Sequence, residues 1–290
     1  MKQHDTLQRL LFDKPAVRGE LVSLDRTWQT VLDRRNYPPV VRDILGEAMA
    51  ACALLSATIK YDGLLTLQLQ AKGPLNLLVV QATSDGTLRG LARWQDPIES
   101  GPLAEICGDG TLVITIDPGQ GKDQYQGVVD LVGHTLADAL EQYFERSEQL
   151  ATRLLLAAGP ETAAGMLLQR LPQQAVDDDG WNRLTLLGDT LSREELLGLD
   201  GADIIHRLFH EEDVRLLSDQ SFRFECTCSR QRIANLLISL GEPEVSDIVK
   251  QQGEVAVACE FCGLEYRFDA VDARELFSGG THPDVPDTRH

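Results

Sequence analysis

Two pairs of cysteines toward the C-terminal end are the residues whose type and spacing could do chemistry. Cys226 and Cys228 stand one residue apart in FECTCSRQR, and Cys259 and Cys262 stand two apart in CEFCGLEYRF. Four thiolates suit a closed tetrahedral zinc site, and CxxC followed by glycine is typical of a zinc knuckle, whose tight turn aims both sulfurs at one ion. We therefore predict that these four cysteines bind one zinc ion in the reduced protein.

The CxC pair is less usual in zinc sites than a second CxxC. In an extended strand, residues i and i+2 point to the same side about 6.5 Å apart, so the backbone must bend to bring Cys226 and Cys228 onto one ion. The same proximity offers a route to a short-range, easily reduced disulfide if the ion leaves. The spacing leaves two interpretations open, a purely structural zinc ribbon and a metal-dependent redox switch.

The energetics of a small zinc module favour the switch. Zinc-bound cysteines are thiolates, the form that oxidants attack. Structural zinc contributes on the order of 10–16 kcal/mol of apparent folding free energy in small modules. A segment of about 65 residues cannot replace that with its own core. We expect oxidation that ejects zinc to unfold the module.

The other candidate residues carry weaker signals. Cys52 lies in an apolar helical run and is predicted to be a buried hydrophobe. Cys107, in GPLAEICGDGTL, is predicted to lie beside a hairpin turn, because the segment lacks the lysine and serine of a phosphate-binding loop. His206 and His210 stand at i and i+4 but lack the glutamate of HExxH, so we do not assign them a metal. No Ser/His/Asp arrangement is recognisable, and we predict that the protein is not an enzyme.

Two regions precede the four cysteines in the sequence, a mixed α/β region and an acidic helical one. Residues 37–60 and 136–158 are predicted to be helices, and short strands separated by glycine turns fill the region between them, with Ser84-Asp85-Gly86 as a hairpin turn. Residues 1–175 therefore predict a mixed α/β domain. Between Val176 and Glu225 there are 13 Asp and Glu against 5 Arg, yet apolar residues keep helical spacing, with Ser192 at a helix start.

The predicted fold class is accordingly α+β in three parts. Residues 1–175 form the mixed α/β domain, residues 176–222 an acidic amphipathic helical linker, and residues 223–290 a small four-cysteine zinc domain. We call the linker the connector below. Its apolar face must be covered by another surface, and the N-terminal domain is the expected one.

Composition excludes several classes of protein. The formal charge of −18 opposes nucleic-acid binding, which depends on Lys and Arg displacing counterions. No window approaches the roughly 18 apolar residues of a membrane span, and MKQHDTLQRLLF lacks the features of a signal peptide. We expect a cytoplasmic protein with no membrane or nucleic-acid partner, whose clustered cysteines serve metal or redox chemistry.

The chain resembles a known family over about residues 6–277. CxC followed by SRQR, the CEFC knuckle before Tyr-Arg-Phe, and LGEPEVSDIVKQQG are similar to the redox-regulated heat-shock holdase, or 33 kDa chaperonin, family. The N-terminal runs RGELVSLDRTW, LGEAMAACALLSATIKYDG, YFERSEQLATR and GMLLQRLP add to the resemblance. The four-cysteine spacing is its most specific element, and Cys52 and Cys107 lie outside it.

The resemblance implies an ATP-independent chaperone that is inactive while reduced and zinc-bound. Carried over, Cys226, Cys228, Cys259 and Cys262 are the zinc ligands, and oxidants link Cys226 to Cys228 and Cys259 to Cys262. Zinc loss then unfolds the C-terminal module, destabilises the connector and uncovers apolar surface for unfolding client proteins, with a homodimer as the active form. A thiol–disulfide oxidoreductase is the alternative, although its CxxC usually opens a helix.

Overall fold

The computed structural model describes residues 4–59, 61–119, 122–171 and 178–278. The chain divides into two compact units, Met1–Glu225 and Cys226–His290. The predicted boundary between residues 175 and 176 lies outside the described residues, so the division at this point stays a prediction. The mixture of strands and helices, with four clustered cysteines in the second unit, agrees with the predicted α+β class.

Two six-stranded sheets build the first unit. The first sheet has the order β10-β1-β2-β9-β8, with β11 also pairing with β1, and its neighbours run antiparallel. Its strands are β1 Thr6–Phe12, β2 Val17–Leu24, β8 Thr152–Ala158, β9 Ala163–Arg170, β10 Val214–Leu216 and β11 Gln220–Ser221.

The second sheet has the order β12-β5-β4-β3-β6-β7, in which only the β12–β5 pair of the described strands is parallel. The predicted hairpin turn at Ser84-Asp85-Gly86 joins β4 to β5. The strands are β3 Leu64–Ala71, β4 Leu75–Thr83, β5 Thr87–Trp94, β6 Gly110–Asp117, β7 Tyr125–Val129 and β12 Arg223–Phe224.

The long helix α2, Pro39–Thr58, lies between the two sheets and packs against strands of both. It begins with a proline, whose missing N–H costs nothing in the first turn. From Ala48 to Ser56 every residue of α2 is buried, and these residues are small or apolar, as expected for a core helix. A Cβ on Gly46 would come within 2.3 Å of the Cβ of Ala158, so glycine permits close packing on β8.

Shorter helices complete the first unit. Around α2 lie α1 Arg26–Leu32, α3 Leu103–Cys107, α4 Leu136–Tyr143 and a π-helical turn at Phe144–Glu148. The connector contributes α5 Asp178–Asp189, α6 Arg193–Gly198 and α7 Gly201–Phe209. As predicted, Ser192 caps α6, since its hydroxyl accepts from the Glu195 amide at 3.2 Å while Glu195 accepts from the Ser192 amide.

The second unit is small. It contains α8 Arg230–Leu240, α9 Glu242–Gln252, a hairpin of β13 Val255–Ala258 and β14 Glu265–Phe268, and α10 Ala270–Phe277. Among the described residues of this unit, six are buried in its core, which are Ala234, Leu237, Val245, Val255, Phe268 and Ala273. So few side chains bury too little apolar surface to fold about 50 described residues without a further source of stability.

The structure corrects three details of the sequence interpretation. The helix predicted for 136–158 ends with the π-helical turn at Phe144–Glu148, after which Gln149 adopts a left-handed conformation, and Thr152–Ala158 is strand β8 paired with β9. The hairpin turn predicted beside Cys107 is instead the short helix α3. The last residues of the predicted helical linker, 214–216 and 220–221, are strands that pair with β1.

Candidate metal centre

The structure brings the four predicted cysteines into one cluster. Their sulfur atoms all lie within 4.8 Å of one another, and all four side chains are half-buried. The Sγ atoms of Cys226 and Cys259 are 3.6 Å apart, and those of Cys228 and Cys262 are 3.4 Å apart. Each sulfur of the CxC pair therefore contacts a sulfur of the CxxC pair, and the cluster joins two segments separated by two helices.

The CxC loop is held from one side by the start of α8. Ser229 caps this helix by accepting from the Arg232 amide at 3.2 Å. The Arg232 guanidinium turns back and donates to the carbonyl and hydroxyl oxygens of Thr227 at 2.8 and 2.6 Å. Thr227 is the residue between the two cysteines, so Arg232 supports the bend that a CxC ligand pair requires.

The CxxC pair occupies the turn of the β13–β14 hairpin. The Cys259 amide donates to the Leu264 carbonyl at 2.9 Å, and the Gly263 amide donates to the Cys259 carbonyl at 2.7 Å. Gly263 has a φ of +73°, a conformation that costs glycine little and other residues more. The glycine after CxxC is thus required by the backbone of the knuckle, as the sequence motif predicts.

Tyr266 completes the surroundings of the cluster. Its hydroxyl group lies 3.1 Å from Cys228 Sγ and is placed to donate to that sulfur. The sulfur, as acceptor, is the first cause that raises the pKa of Tyr266, to about 12, so the phenol keeps its proton. The sequence alone did not single out Tyr266 or Arg232. Its only signal is that Tyr266 follows Cys262 by four residues and Arg232 follows Cys228 by four.

The donor set fits zinc. A tetrahedral ion with Zn–S bonds of about 2.3 Å requires sulfurs about 3.8 Å apart, close to the separations of the cluster. Desolvation, followed by contact with the neighbouring thiols, raises the pKa of Cys262 to about 12, so this thiol does not ionise readily by itself. A divalent cation would hold the four ligands as thiolates, and soft sulfur ligands favour zinc over magnesium or calcium.

The other candidate residues stay outside the cluster. Cys52 and Cys107 are fully buried in the first unit, and burial raises the pKa of both thiols, that of Cys107 to about 11. Such thiols react poorly with oxidants. The rings of His206, on α7, and His210, the residue after α7, stack with centroids 5.8 Å apart. Among the described residues, neither histidine belongs to a group of three or more possible metal ligands.

The connector covers an apolar side of the first sheet. We call this side the covered face; its residues are Leu10, Phe12, Val17, Leu21, Ala157, Ala164, Met166 and Leu168. The connector places six buried residues on it, which are Leu184, Leu191, Leu196, Ile204, Leu208 and Phe209. The rings of Phe12 and Phe209 meet edge to face, with centroids 5.0 Å apart.

Alternation along the strands explains why one sheet has two apolar faces. In β2, Val17 and Leu21 point toward the connector, whereas Val22 and Leu24 belong to the core around α2. Successive side chains of a strand point to opposite sides, so a strand buried on both sides reads as a nearly continuous apolar run. Removing the connector would leave a contiguous apolar surface exposed to water.

Ion pairs lie at the edge of the contact between the connector and the first sheet. Arg153 on β8 approaches Asp189 at the end of α5 with its Nε 2.7 Å from a carboxylate oxygen. Arg193 at the start of α6 approaches Asp43 on α2 at 3.0 Å. These half-exposed pairs contribute little stability each, but they fix where the acidic connector lies. None of the helices among the described residues is both long and apolar enough to cross a membrane.

Fold and site together define a class of protein, in which a small cysteine-clustered unit follows an α/β unit whose apolar sheet is covered by a connector. The model of the Hsp33 protein family matches residues 5–269. The chain belongs to the Hsp33 family.

Similar proteins extend over the whole chain. It is 47% identical over 292 residues to a 33 kDa chaperonin of Chromobacterium violaceum, covering 100% of this chain and 99% of that one. It is 48% identical over 290 residues to a 33 kDa chaperonin of Nitrosococcus oceani, with full coverage of both chains. The crystal structure of a 33 kDa chaperonin from Thermotoga maritima has the same fold, with a TM-score of 0.82 at 23% identity, covering 94% of this chain and 98% of that one.

Proposed function

We propose that this protein is a redox-regulated, ATP-independent chaperone that binds unfolding proteins and prevents their aggregation under oxidative stress. The observation that carries the proposal is the combination of four clustered thiols in a unit with a very small core and an apolar sheet face covered by the connector. Membership of the Hsp33 family supports it. The protein acts by binding clients and catalyses no reaction.

In the reduced protein, Cys226, Cys228, Cys259 and Cys262 hold one zinc ion. The bound ion supplies the folding free energy that the core of the second unit lacks. Thr227, held by Arg232, keeps the CxC segment bent, and the Tyr266 hydroxyl donates to Cys228. Such contacts to ligands orient them and raise the affinity of a metal site.

Oxidation by a peroxide converts two cysteines at a time. One sulfur attacks a peroxide oxygen, and the O–O bond breaks to give a sulfenic acid and the first water. A second cysteine then attacks the sulfenic sulfur and displaces its hydroxyl group as the second water. For each pair, two thiols and one H₂O₂ give one disulfide and two waters, with two electrons passing from sulfur to oxygen. The family resemblance implies the pairs Cys226 with Cys228 and Cys259 with Cys262, and cysteines so near in sequence remain close after the unit unfolds. A disulfide sulfur carries no negative charge, so zinc loses its ligands.

The connector transmits this change. It is continuous with the second unit, since β12 ends at Phe224 and the first ligand is Cys226. Loss of order after β12 removes a restraint on the end of the connector, whose 12 acidic residues keep it in solution once released. The covered face and the apolar side of the connector then bind clients in the cytoplasm, with a homodimer as the active form.

The oxidoreductase alternative has less support. Its CxxC pair usually lies at a helix N-terminus, which lowers the pKa of the attacking thiol. Here Cys259 and Cys262 lie in a hairpin turn, and the pKa of Cys262 is raised. Neither nucleic acid nor a membrane is expected as a partner of so acidic a chain.

The direct test is light scattering of a chemically unfolded client without ATP. Oxidised protein should suppress aggregation, and reduced zinc-loaded protein should not. A variant with serine at Cys226, Cys228, Cys259 and Cys262 separates the roles of metal and oxidant, because it should be active without oxidant. Equal suppression by both redox forms of the parent would reject redox regulation, and catalytic reduction of insulin would favour the oxidoreductase.

A further inference from the structure

Arg193 is the first residue of α6 and reaches from the connector to two other elements. Its Nη2 atom lies 3.0 Å from Asp43 Oδ2 on α2 and also donates to the carbonyl oxygen of Ala158 at the end of β8. One guanidinium thereby joins the connector to the central helix and to the edge of the first sheet. A charged hydrogen bond of this kind depends on the ionisation of its partners.

Glu47 lies four residues after Asp43, on the same face of α2. Burial raises the pKa of Glu47 to about 7, while the charge of Arg193 lowers it and that of Asp43 raises it. Glu47 accepts no hydrogen bond from the part of the chain that the structure describes. Its charge therefore interacts mainly with Arg193, through space.

The charged groups around Glu47 are few. Asp43 and Arg42 come from α2 itself and pair with each other at 2.7 Å. Arg193 comes from α6, and His134, before α4, lines the same cavity of about 430 Å³. Helix α3 contributes the apolar side chains of Leu103 and Ile106 to this cavity. Most of the walls around Glu47 thus belong to elements other than the connector and remain if the connector leaves.

We propose that Arg193 is a positioning residue that pins the connector through the ionised carboxylates of Asp43 and Glu47, so that mild acid loosens α6 without oxidation of any cysteine. The proposal deepens the regulation of the chaperone and rests on the proposed function only for what a loosened connector achieves. Acid would act on the connector at α6, between α5 and α7, whereas oxidant would act beyond its C-terminal end, after β12.

The direction of the pH effect follows from the linkage between proton binding by Glu47 and docking of α6. Because Arg193 lowers the pKa of Glu47, ionised Glu47 must favour the docked position of Arg193 by the same free energy. As the pH falls through about 7, Glu47 takes up a proton and this attraction is lost. Without Arg193 the pKa of Glu47 lies above 7, so docking of α6 is strongest above that higher value and weakens as the pH falls through about 7. Each unit by which docking lowers the pKa of Glu47 gives at most about a tenfold change in the docking equilibrium.

Hydrogen exchange of residues 192–209 in the reduced, zinc-loaded protein measures this docking without a client. Between pH 8 and 6, after correction for intrinsic exchange rates, the opening equilibrium of the parent should rise several-fold. Arg193→Gln should raise opening at pH 8 by about tenfold, the effect of losing a charged hydrogen bond, and should flatten the profile. Glu47→Gln should give nearly pH-independent opening close to the acid limit of the parent. Arg193→Lys, which keeps the charge, should restore part of the pH dependence.

Two controls match these variants. Arg183→Gln removes a connector arginine that pairs with Glu212 inside the connector, and it should keep the parent profile. His134→Gln replaces the histidine that lines the same cavity and should also keep it. Zinc content is measured at each pH, because thiolate ligands take up protons in acid, and profiles are compared at equal zinc content.

A parent-like pH profile in Glu47→Gln, or parent-like opening in Arg193→Gln, would overturn the proposal, as would a profile flattened by His134→Gln alone. Failure of the proposed function looks different. In that case the oxidised parent does not suppress aggregation, whereas the exchange of α6 still responds to pH and to Arg193.

Discussion

Each sulfur of the cluster is placed by backbone and side-chain groups that differ between the two cysteine pairs. Cys259 and Cys262 need only the hairpin and the positive φ of Gly263. The CxC pair needs side chains from elsewhere, Arg232 for its bend and Tyr266 for Cys228. Residue types and spacing were sufficient to predict that the four thiols lie together. They did not predict the contacts of Arg232 with Thr227 and of Tyr266 with Cys228, because these depend on how α8 and β14 pack.

Tyr266→Phe should weaken zinc binding by about tenfold, at the lower end of the effect of losing a group that hydrogen-bonds to a ligand. The ring is retained, so the core of the second unit should stay intact while Cys228 loses a donor. Competition with a chromophoric chelator measures the affinity. Tyr61→Phe, which removes a hydroxyl in the first unit, is the matched control and should bind zinc like the parent. An unchanged affinity in Tyr266→Phe would contradict the role given to this hydroxyl.

Ionisation of the buried Glu20 should make the first unit less stable as the pH rises through neutrality. Burial raises its pKa to about 7, whereas the Thr58 hydroxyl donates to it at 2.8 Å and lowers it. The folded state therefore binds the proton more tightly than the unfolded state. Its stabilising contribution is complete below the ordinary carboxyl pKa of about 4.5 and is lost as the pH rises through about 7.

Glu20→Gln should accordingly raise the free energy of unfolding at pH 8 by on the order of 3 kcal/mol at most, and change it little at pH 4. All three tryptophans belong to the first unit, so urea unfolding followed by tryptophan fluorescence reports on that unit. The exposed Glu99→Gln is the control and should have no effect at either pH. Equal effects of Glu20→Gln at pH 4 and 8 would show that Glu20 does not titrate in this range.

At the scale of elements, the connector and the first sheet depend on each other. The sequence predicted an amphipathic connector from the spacing of its apolar residues, and the structure gives it the expected partner surface. The strands that extend it were missed because Val214–Leu216 and Gln220–Ser221 become strands only by pairing with β1, some 200 residues away. Strand β8 was taken for helix because TRLLLAA is a short apolar run with no distinct period.

Serine at Leu196, Leu197, Ile204 and Leu208 should release the connector and give chaperone activity without oxidant. Three of these side chains are buried on the covered face and Leu197 packs beside them. Each buried leucine or isoleucine contributes about 1.5–3 kcal/mol, which exceeds what the half-exposed ion pairs can offset. Serine at the exposed Leu186, Leu199, Leu216 and Leu217 is the matched control. If the first variant, reduced and zinc-loaded, is as inactive in light scattering as the parent, the docked connector is not what keeps the reduced protein inactive.

At the scale of the whole molecule, the two units differ in what stabilises them. The first unit has a core that spans both sheets and α2, whereas the second has six buried residues and four clustered thiols. One free energy of unfolding therefore does not describe the whole chain, and loss of the metal should destabilise the second unit more than the first. Composition and cysteine spacing predicted this asymmetry, since a short segment with four thiols has few other means of folding.

Removal of zinc by a strong chelator under reducing conditions should unfold the second unit and loosen the connector, while the core of the first unit around α2 stays folded. Amides of α8, α9 and α10 should lose their protection from hydrogen exchange, while those of α2 and β3 keep it. Re-addition of zinc should restore protection, because the thiols remain reduced. Retained protection of α8–α10 in the metal-free protein would mean that the small core is sufficient without the ion.

The central claim, that oxidation, zinc loss and unfolding are one event that releases chaperone activity, is tested most directly by a single time course. Purified reduced protein is treated with mild peroxide while zinc release, helical circular dichroism and suppression of client aggregation are recorded together. The account predicts that zinc release and loss of helix proceed together and that aggregation suppression appears with them. Zinc release with unchanged helicity and no suppression of aggregation would contradict it and leave only a structural zinc ribbon.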